Sequence, residues 1–282
     1  MAVVLPVALA LLLFVAGCGD EANAPSPEPE SDGAGPVHVH GLGVNPADDA
    51  LFIATHTGLF RADKGRTTAE RVANRYQDTM GFTVVGPDHF LGSGHPDLRE
   101  NLPPLLGLIE SKDAGESWAP TSLLGEADFH VLEASGQHVY GFDSSGGRLM
   151  VSRNGGREWT ERSPPEPLIS LAIHPDDPER VIASGETRLH SSTDGGHRWR
   201  SLGADAGLLA WPAGRRVYLL KADGEVLMSR DSGRRWQPVG EVGGQPAAFE
   251  SESTSGLLAA LHDGTVKRSS DGGATWRIRS KP

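Results

Sequence analysis

One eight-residue pattern, Ser-x-Asp-x-Gly-x-x-Trp, recurs five times along this chain and constrains its fold more than any other feature. The five copies end at Trp118, Trp159, Trp199, Trp236 and Trp276. By subtraction, the steps between these tryptophans are 41, 40, 37 and 40 residues. A period near forty residues with one such turn per unit is typical of a four-stranded propeller blade. The spacing therefore predicts an all-β chain folded as a β-propeller.

Each copy of the repeat has the composition of a tight β-hairpin turn. Its glycines tolerate the positive φ that such a turn needs, and its Ser and Asp oxygens can bond to the turn's own backbone. Asn154 replaces the aspartate in the second copy, so the turn does not require the negative charge. We interpret the copies as structural. The pattern resembles the Asp box, or BNR repeat, of sialidase-like propellers.

The length of the repeated region sets the number of blades. Residues 37–282 number 246, which at about forty residues each predicts six blades of four antiparallel strands. The first blade has a degenerate copy of the repeat, Arg61-Ala-Asp63-Lys-Gly65, without the tryptophan. The predicted blades begin near His38, Met80, Phe129, Ile169, Gly207 and Ala247.

Strand order predicts two different faces of the disc. The third strand of each blade descends into the repeat hairpin, so these hairpins lie on one face, called here the lower face. The start of every first strand and the end of every second strand then lie on the opposite, upper face. Loops from several blades converge there around the central channel, and loops on a rigid scaffold often carry function.

The first 36 residues predict export and anchoring. Residues 1–17 begin with an uncharged apolar run that is too short to span a bilayer and suits a signal peptide. Val15-Ala16-Gly17-Cys18 resembles a bacterial lipobox, which implies lipidation of Cys18 and attachment to a membrane outside the cytoplasm. Residues 18–36 are rich in Pro, Ser, Gly and acidic side chains, a composition typical of a disordered tether.

Charge and cysteine content exclude several classes of function. The formal net charge is −11, and removing the five acidic residues of the tether leaves −6 on the rest. An acidic propeller without a basic stripe argues against nucleic acid as a partner. A single cysteine permits neither an intrachain disulfide nor a thiolate metal site. We expect a monomer.

Aligned with one another, the blades differ in where their histidines fall. At the upper end of the first strand the six equivalent residues are His40, Met80, His130, Ile169, Ala206 and Ala247. At the upper end of the second strand they are His56, His95, Asp143, Glu186, Lys221 and His262. A structural repeat has no packing reason to concentrate histidines on one half of one face. The asymmetry predicts a ligand site on the upper face of blades one to three.

Two loops enlarge this predicted site. The link at residues 95–106 is longer than its equivalent in any other blade, and the segment before Met80 adds further polar side chains. The residues that we expect to bind the ligand are His40, Met80, His95, His130, Arg75 and Tyr76. Arg75 and Tyr76 are suited to contacting a sugar or a carboxylate.

A first hypothesis for the site is glycan binding or cleavage. Stretches such as His38-Val-His40-Gly-Leu42 and Asp128-Phe-His130 resemble a bacterial subgroup of these propellers labelled glycosylhydrolase-like. Glycoside cleavage generally needs two carboxyl groups, and the acidic residues of this face could provide such a pair, although no spacing in the sequence singles one out. The catalytic candidates are Asp78, Asp97 and Asp128. The sialidase Phe/Tyr-Arg-Ile-Pro stretch is absent, which argues against sialidase activity.

Two other hypotheses remain open on the sequence. Neutral imidazoles converging with a carboxylate suit Zn or Cu, and Met80 beside them favours copper. The candidate metal ligands are His38, His40, His56, His95, His130 and Asp143. The third hypothesis is a non-catalytic scaffold that assembles other proteins, a role that the resemblance to Asp-box propellers also implies.

Overall fold

The protein is a six-bladed β-propeller in a computed structural model, which describes residues 35–282. Each blade is a four-stranded antiparallel sheet formed by consecutive strands, so the predicted fold class is confirmed. One turn of 3-10 helix, Val72–Asn74, is the only helical element of the described chain. Within residues 35–282 there is accordingly no helix with the length and apolarity needed to cross a membrane. The predicted signal peptide, the lipidation site at Cys18 and nearly all of the tether lie outside the described residues.

The strands follow one another regularly around the ring. Blades one to three comprise β1 (Val39–Val44), β2 (Leu51–Thr55), β3 (Gly58–Ala62), β4 (Glu70–Arg71), β5 (Asp78–Gly86), β6 (His89–His95), β7 (Leu108–Ser111), β8 (Ala119–Ser122), β9 (Phe129–Ser135), β10 (His138–Asp143), β11 (Arg148–Ser152) and β12 (Thr160–Arg162). Blades four to six comprise β13 (Leu168–His174), β14 (Asp177–Gly185), β15 (Arg188–Ser192), β16 (Arg200–Asp205), β17 (Leu208–Ala213), β18 (Arg216–Leu220), β19 (Glu225–Ser229), β20 (Gln237–Glu241), β21 (Pro246–Ser251), β22 (Leu257–Leu261), β23 (Val266–Ser269) and β24 (Arg277–Ser280).

The core lies between adjacent blades rather than at one central point. The innermost strand of each blade contacts the innermost strand of the next, and β21 contacts β1 to complete the ring. Second strands are buried on both faces, as in β2, where all five residues are buried. A strand packed between two neighbouring sheets reads as a continuous apolar run, because both of its faces are covered. Apolar burial at these six junctions therefore holds the ring together.

The ring closes between blade six and blade one without exchange of a strand. Leu258 and Val266 of blade six pack with Leu51 and Ile53 of blade one. The Lys281 amide donates a hydrogen bond to the carbonyl of Thr67 at 2.8 Å, and the Arg279 guanidinium donates to the carbonyl of Ala62 at 3.0 Å. Side-chain packing and a few terminal hydrogen bonds thus join the two ends of the chain.

The five repeat hairpins share one hydrogen-bond pattern. In each, the serine hydroxyl accepts the amide of the glycine four residues later at 2.8–2.9 Å. The Asp or Asn Oδ1 accepts the amide of the residue four positions after it, at 2.9–3.0 Å. Asn154 makes the same bonds as its aspartate counterparts. Geometry rather than charge therefore defines the turn, in keeping with the sequence interpretation.

Replacing Ser192 with alanine is expected to lower the free energy of unfolding by about 1–3 kcal/mol, because the buried amide of Gly196 loses its acceptor. Denaturation in urea measures the change. Ser191→Ala is the matched control, since that hydroxyl makes one long contact of 3.5 Å to the Arg200 carbonyl. Equal losses in the two variants would contradict the role given to the repeat serine.

Candidate functional site

Antiparallel pairing brings polar residues of blades one to three to one rim of the disc. At the upper end of each first pair of strands, Val39 pairs with Thr55, Asp78 with His95 and Phe129 with Asp143. The flanking side chains therefore converge at two neighbouring blade junctions. His40, His56 and Asp78 meet between blades one and two, and His95, Asp128 and His130 meet between blades two and three.

The first group, called here the His40 cluster, consists of His40, His56 and Asp78. One ligand atom from each residue lies within 4.8 Å of the others. The Nδ1 atom of His56 is 3.0 Å from Oδ1 of Asp78, and the Nε2 atom of His40 is 4.0 Å from the same oxygen. The buried Nε2 of His40 and Oδ1 of Asp78 nevertheless have no aligned hydrogen-bond partner. Three such atoms facing one another are suited to binding a metal ion.

His38 lies at the edge of the His40 cluster. Its ring centroid is 5.4 Å from that of His56, whose own ring meets His40 edge-on at 4.4 Å. The backbone of His38 has φ of 53°, in the left-handed region that non-glycine residues seldom occupy. The strained backbone thus turns this side chain to the same rim as the other two histidines.

The second group, called here the Asp128 cluster, consists of His95, Asp128 and His130. Oδ2 of Asp128 lies 2.8 Å from Nε2 of His130 and 3.7 Å from Nε2 of His95. The side chain of Asp128 is only 8% exposed, whereas those of the two histidines are about two-fifths exposed. The cluster therefore has a buried carboxylate beneath two imidazoles that reach solvent.

The His40 cluster has shifted acid–base equilibria. Burial, followed by the neighbouring imidazoles of His56, His130 and His38, lowers the pKa of His40 to about 4. Burial raises the pKa of Asp78, although the contact with His56 opposes that shift. His40 is consequently neutral at pH 7, with a lone pair available to a ligand.

The buried His40 is expected to make the metal-free protein less stable as the pH falls from 6.5 to 4. Across this window the unfolded chain binds a proton at residue 40 and the folded chain does not, so unfolding becomes more favourable. The loss is up to about 3 kcal/mol relative to a His40→Gln variant. Urea denaturation of both proteins at several pH values measures it. Parallel pH profiles would contradict the assignment.

Asp143 supports Asp128 rather than facing the open rim. Its Oδ1 accepts the amide of Asp128 at 3.1 Å and the hydroxyl of Ser145 at 2.7 Å. Its Oδ2 accepts two N–H groups of Arg148, at 2.6 and 3.1 Å. Both oxygens of this candidate metal ligand are therefore engaged within the fold, and the structure does not bring it into either cluster.

Asp97, Arg75 and Tyr76 anchor the long loop of blade two. The carboxylate of Asp97 accepts hydrogen bonds from the guanidinium and amide of Arg99 and from the amide of Tyr76. These contacts hold the pKa of Asp97 well below its usual range. The Tyr76 ring lies 4.0 Å from the guanidinium carbon of Arg71 and 4.8 Å from that of Arg99. Loop contacts thus occupy these predicted ligand-binding and catalytic groups.

Arg75 belongs to the same anchoring network. Its guanidinium donates to Oε1 of Glu100 at 2.5 Å, which ties the segment before β5 to the long loop. The position of Arg75 was predicted from its place before Met80, but its partner could not be, because Glu100 lies 25 residues away. The pair fixes the loop beside the Asp128 cluster.

Met80 lines the mouth of the central channel. A cavity of about 90 Å³ there is lined by residues that include His40, Met80 and His130, and also by Glu133 and Glu250. Burial raises the pKa values of both glutamates, and in Glu133 the charge of Glu250 adds to the effect. This carboxyl pair was not predicted from the sequence. The available signal was an acidic residue on an innermost strand at a position where other blades carry small or apolar residues.

The fold and the rim define a class of protein: a closed six-bladed propeller with histidine–aspartate clusters at two blade junctions. No family model matches the chain. A curated relative, the dispase autolysis-inducing protein of Streptomyces mobaraensis, is 28% identical over 164 residues. The match covers 56% of this chain and 40% of that protein.

Solved structures share the architecture. The structure of YCF48 bound to D1 peptide matches with a TM-score of 0.57 and 13% identity, covering 87% of this chain and 83% of that one. The GH74 xyloglucanase of Xanthomonas campestris matches with a TM-score of 0.56 and 18% identity, covering 86% of this chain and 45% of that one. At these sequence identities the structural similarity establishes only the fold. One of the two neighbours is described as bound to a peptide and the other as a xyloglucanase.

Proposed function

We propose that this protein is an extracytoplasmic lipoprotein, anchored through Cys18, that binds a divalent transition metal on the upper face of its propeller. The His40 cluster is the observation that carries the proposal. Two imidazoles and one carboxylate present ligand atoms within 4.8 Å of one another, and two of these atoms are buried without an aligned hydrogen-bond partner. Such unmatched polar atoms are costly in a fold unless a ligand satisfies them.

The donor set favours a transition metal, and we propose Zn or Cu. Imidazole nitrogen with one carboxylate oxygen suits both ions, whereas Ca²⁺ and Mg²⁺ prefer sites made of oxygen alone. The lowered pKa of His40 keeps this ligand free of a competing proton at neutral pH. Met80 lines the same channel mouth, and its soft thioether favours copper over zinc.

Metal loading tests the proposal directly. Purified protein is treated with a chelator, dialysed, and titrated with Zn(II) or Cu(II) in a calorimeter, and retained metal is measured by elemental analysis. We expect stoichiometric binding that survives gel filtration. Mg(II) serves as the negative control ion. Failure to retain either transition metal would overturn the proposed function.

A second candidate function is glycan cleavage, favoured by the raised pKa of Asp78. A raised pKa is the direction that general acid catalysis requires of a carboxyl group, and Asp128 supplies a second carboxyl group at the next blade junction. The propeller fold shared with a GH74 xyloglucanase is compatible with this role. The third hypothesis, a non-catalytic scaffold for protein assembly, stays a prediction.

Turnover of aryl glycosides and of xyloglucan separates the two candidates. Cleavage that persists in the presence of a chelator and is lost in both Asp78→Asn and Asp128→Asn would favour the glycosidase. No cleavage, together with stoichiometric metal, would leave metal binding as the function.

A further inference from the structure

We propose that the upper face has a second metal position, formed by His95, Asp128 and His130, next to the one proposed at the His40 cluster. This inference rests on the proposed function, since it assigns a second ion to the same rim. Its evidence is separate, because none of these three residues belongs to the His40 cluster. The observations that carry it are the contact of His95 with the carbonyl of Pro104, the burial of Asp128 and the support that surrounds both.

The orientation of His95 leaves a bare nitrogen facing a carboxylate. Its Nδ1 lies 2.8 Å from the carbonyl oxygen of Pro104, and a carbonyl can only accept, so Nδ1 carries the proton and donates it. In the neutral imidazole Nε2 is therefore unprotonated and carries a lone pair. That lone pair lies 3.7 Å from Oδ2 of Asp128, which also has only lone pairs to offer when ionised. Two acceptors facing each other repel unless a proton or a metal ion lies between them, and we assign a metal ion to this position.

Asp128 meets the requirement for a buried ligand. Its side chain is 8% exposed, and its Oδ1 atom is buried without any hydrogen-bond partner. Oδ2 is 2.8 Å from Nε2 of His130, which stands on the solvent side of the carboxylate. A buried carboxylate with an unsatisfied oxygen is unfavourable unless a charge compensates it. A divalent cation at Oδ2 supplies that charge, with the imidazole of His95 moving in from 3.7 Å to join His130 as a ligand.

Surrounding residues hold the three ligands as supporting partners commonly do in metal sites. The carbonyl of Pro104 fixes the ring of His95, and Oδ1 of Asp143 accepts the amide of Asp128 at 3.1 Å. Ser145 and Arg148 in turn hold Asp143. A ligating histidine almost always donates its other N–H to a carbonyl or carboxylate in this way.

The long loop of blade two acquires a function in this arrangement. Pro104 belongs to that loop, which the Asp97 network anchors at one end. At its other end the amide of Leu106 donates to the carbonyl of Gly94 at 2.9 Å. The loop therefore places a carbonyl beside His95, the first ligand of the second position.

The two positions are adjacent in the sheet. Asp78 of the first pairs directly with His95 of the second across β5 and β6, so their side chains leave the same face of the blade.

Metal stoichiometry tests the second position. Chelator-treated protein is titrated with Zn(II), retained zinc is counted per chain, and anomalous diffraction at the zinc edge locates each ion in wild-type crystals. We expect two zinc ions in the wild type and one in Asp128→Asn and in His95→Ala. His197→Ala, an exposed histidine on the lower face, is the matched control and retains two.

Each outcome decides the proposal. A single ion at the His40 cluster overturns the second position and leaves the proposed function intact. No bound zinc overturns the second position, and it overturns the proposed function as well when the Cu(II) titration is also negative. Two ions with one placed elsewhere than beside Asp128 also overturn the inference. The diffraction measurement needs no variant, so misfolding of Asp128→Asn cannot obscure the result.

Discussion

His40→Ala is expected to weaken the tightest Zn(II) binding by at least about 100-fold, the upper end of what loss of a supporting residue costs at metal sites. His40 is the most buried imidazole of the His40 cluster, and its Nε2 has no aligned hydrogen-bond partner. Its neutral form is maintained at physiological pH by burial and by three neighbouring histidines. Removal of the ring leaves one imidazole and one carboxylate, too few ligands to hold the ion tightly. Isothermal titration in a competing chelator measures the change.

The control for this prediction is His138→Ala. His138 lies at the end of blade three away from the upper face, and its imidazole is 3.2 Å from Glu179 of blade four. Its removal is therefore expected to leave Zn(II) affinity unchanged. Thermal unfolding of both metal-free variants separates a loss of ligand from a loss of structure. Equal affinity in His40→Ala and wild type would exclude the His40 cluster as the binding site.

Phe129→Ala is expected to lower the free energy of unfolding by about 3–5 kcal/mol. The Phe129 side chain is fully buried between blades two and three, and its ring centroid lies 5.1 Å from that of Trp159. Gly141 packs so closely on this ring that a Cβ there would come within 2.6 Å of it. Because Asp128 and His130 flank Phe129, the cavity would also loosen the Asp128 cluster. Urea denaturation measures the stability, and zinc stoichiometry reports the effect on the site.

Two variants calibrate the Phe129 result. Phe129→Leu keeps most of the buried volume, so a smaller loss than for alanine is expected. Ile169→Ala removes a side chain that is 44% exposed, and a change within about 0.5 kcal/mol is expected there. A loss in Phe129→Ala no larger than in Ile169→Ala would contradict the packing described at this blade junction.

The fold could be predicted because the hairpin pattern recurs at a nearly constant interval along the sequence. Five tryptophans at near-constant spacing set a period near forty residues, which over residues 37–282 predicted six blades. The hairpin chemistry of Ser, Asp and Gly acts within eight residues. Such short-range signals survive without knowledge of the rest of the chain. Blade boundaries were less certain: blade two starts at Asp78, two residues before the predicted Met80. That difference matters, since it pairs Asp78 with His95.

The sequence could predict which face of the propeller carries the site, but not how its residues are grouped there. Counting strands indicates which residues reach the upper face, but it does not indicate which partners occupy their side chains. Asp97 and Asp143 are as well placed in sequence as Asp78 and Asp128, yet Arg99 and Arg148 engage them. Those pairings depend on loop conformation and rotamer. The division of the histidines between two junctions likewise required coordinates.

The join between the last and first blades gives the disc a seam. Elsewhere the chain runs continuously from one blade to the next, whereas here only packed side chains and a few terminal hydrogen bonds resist separation. Ions at the two histidine clusters would fasten blade one to blade two and blade two to blade three, leaving the seam unfastened. Bound metal would then stabilise the contacts among blades one to three. Separation of blade six from blade one would still depend on the apolar contacts between those two blades.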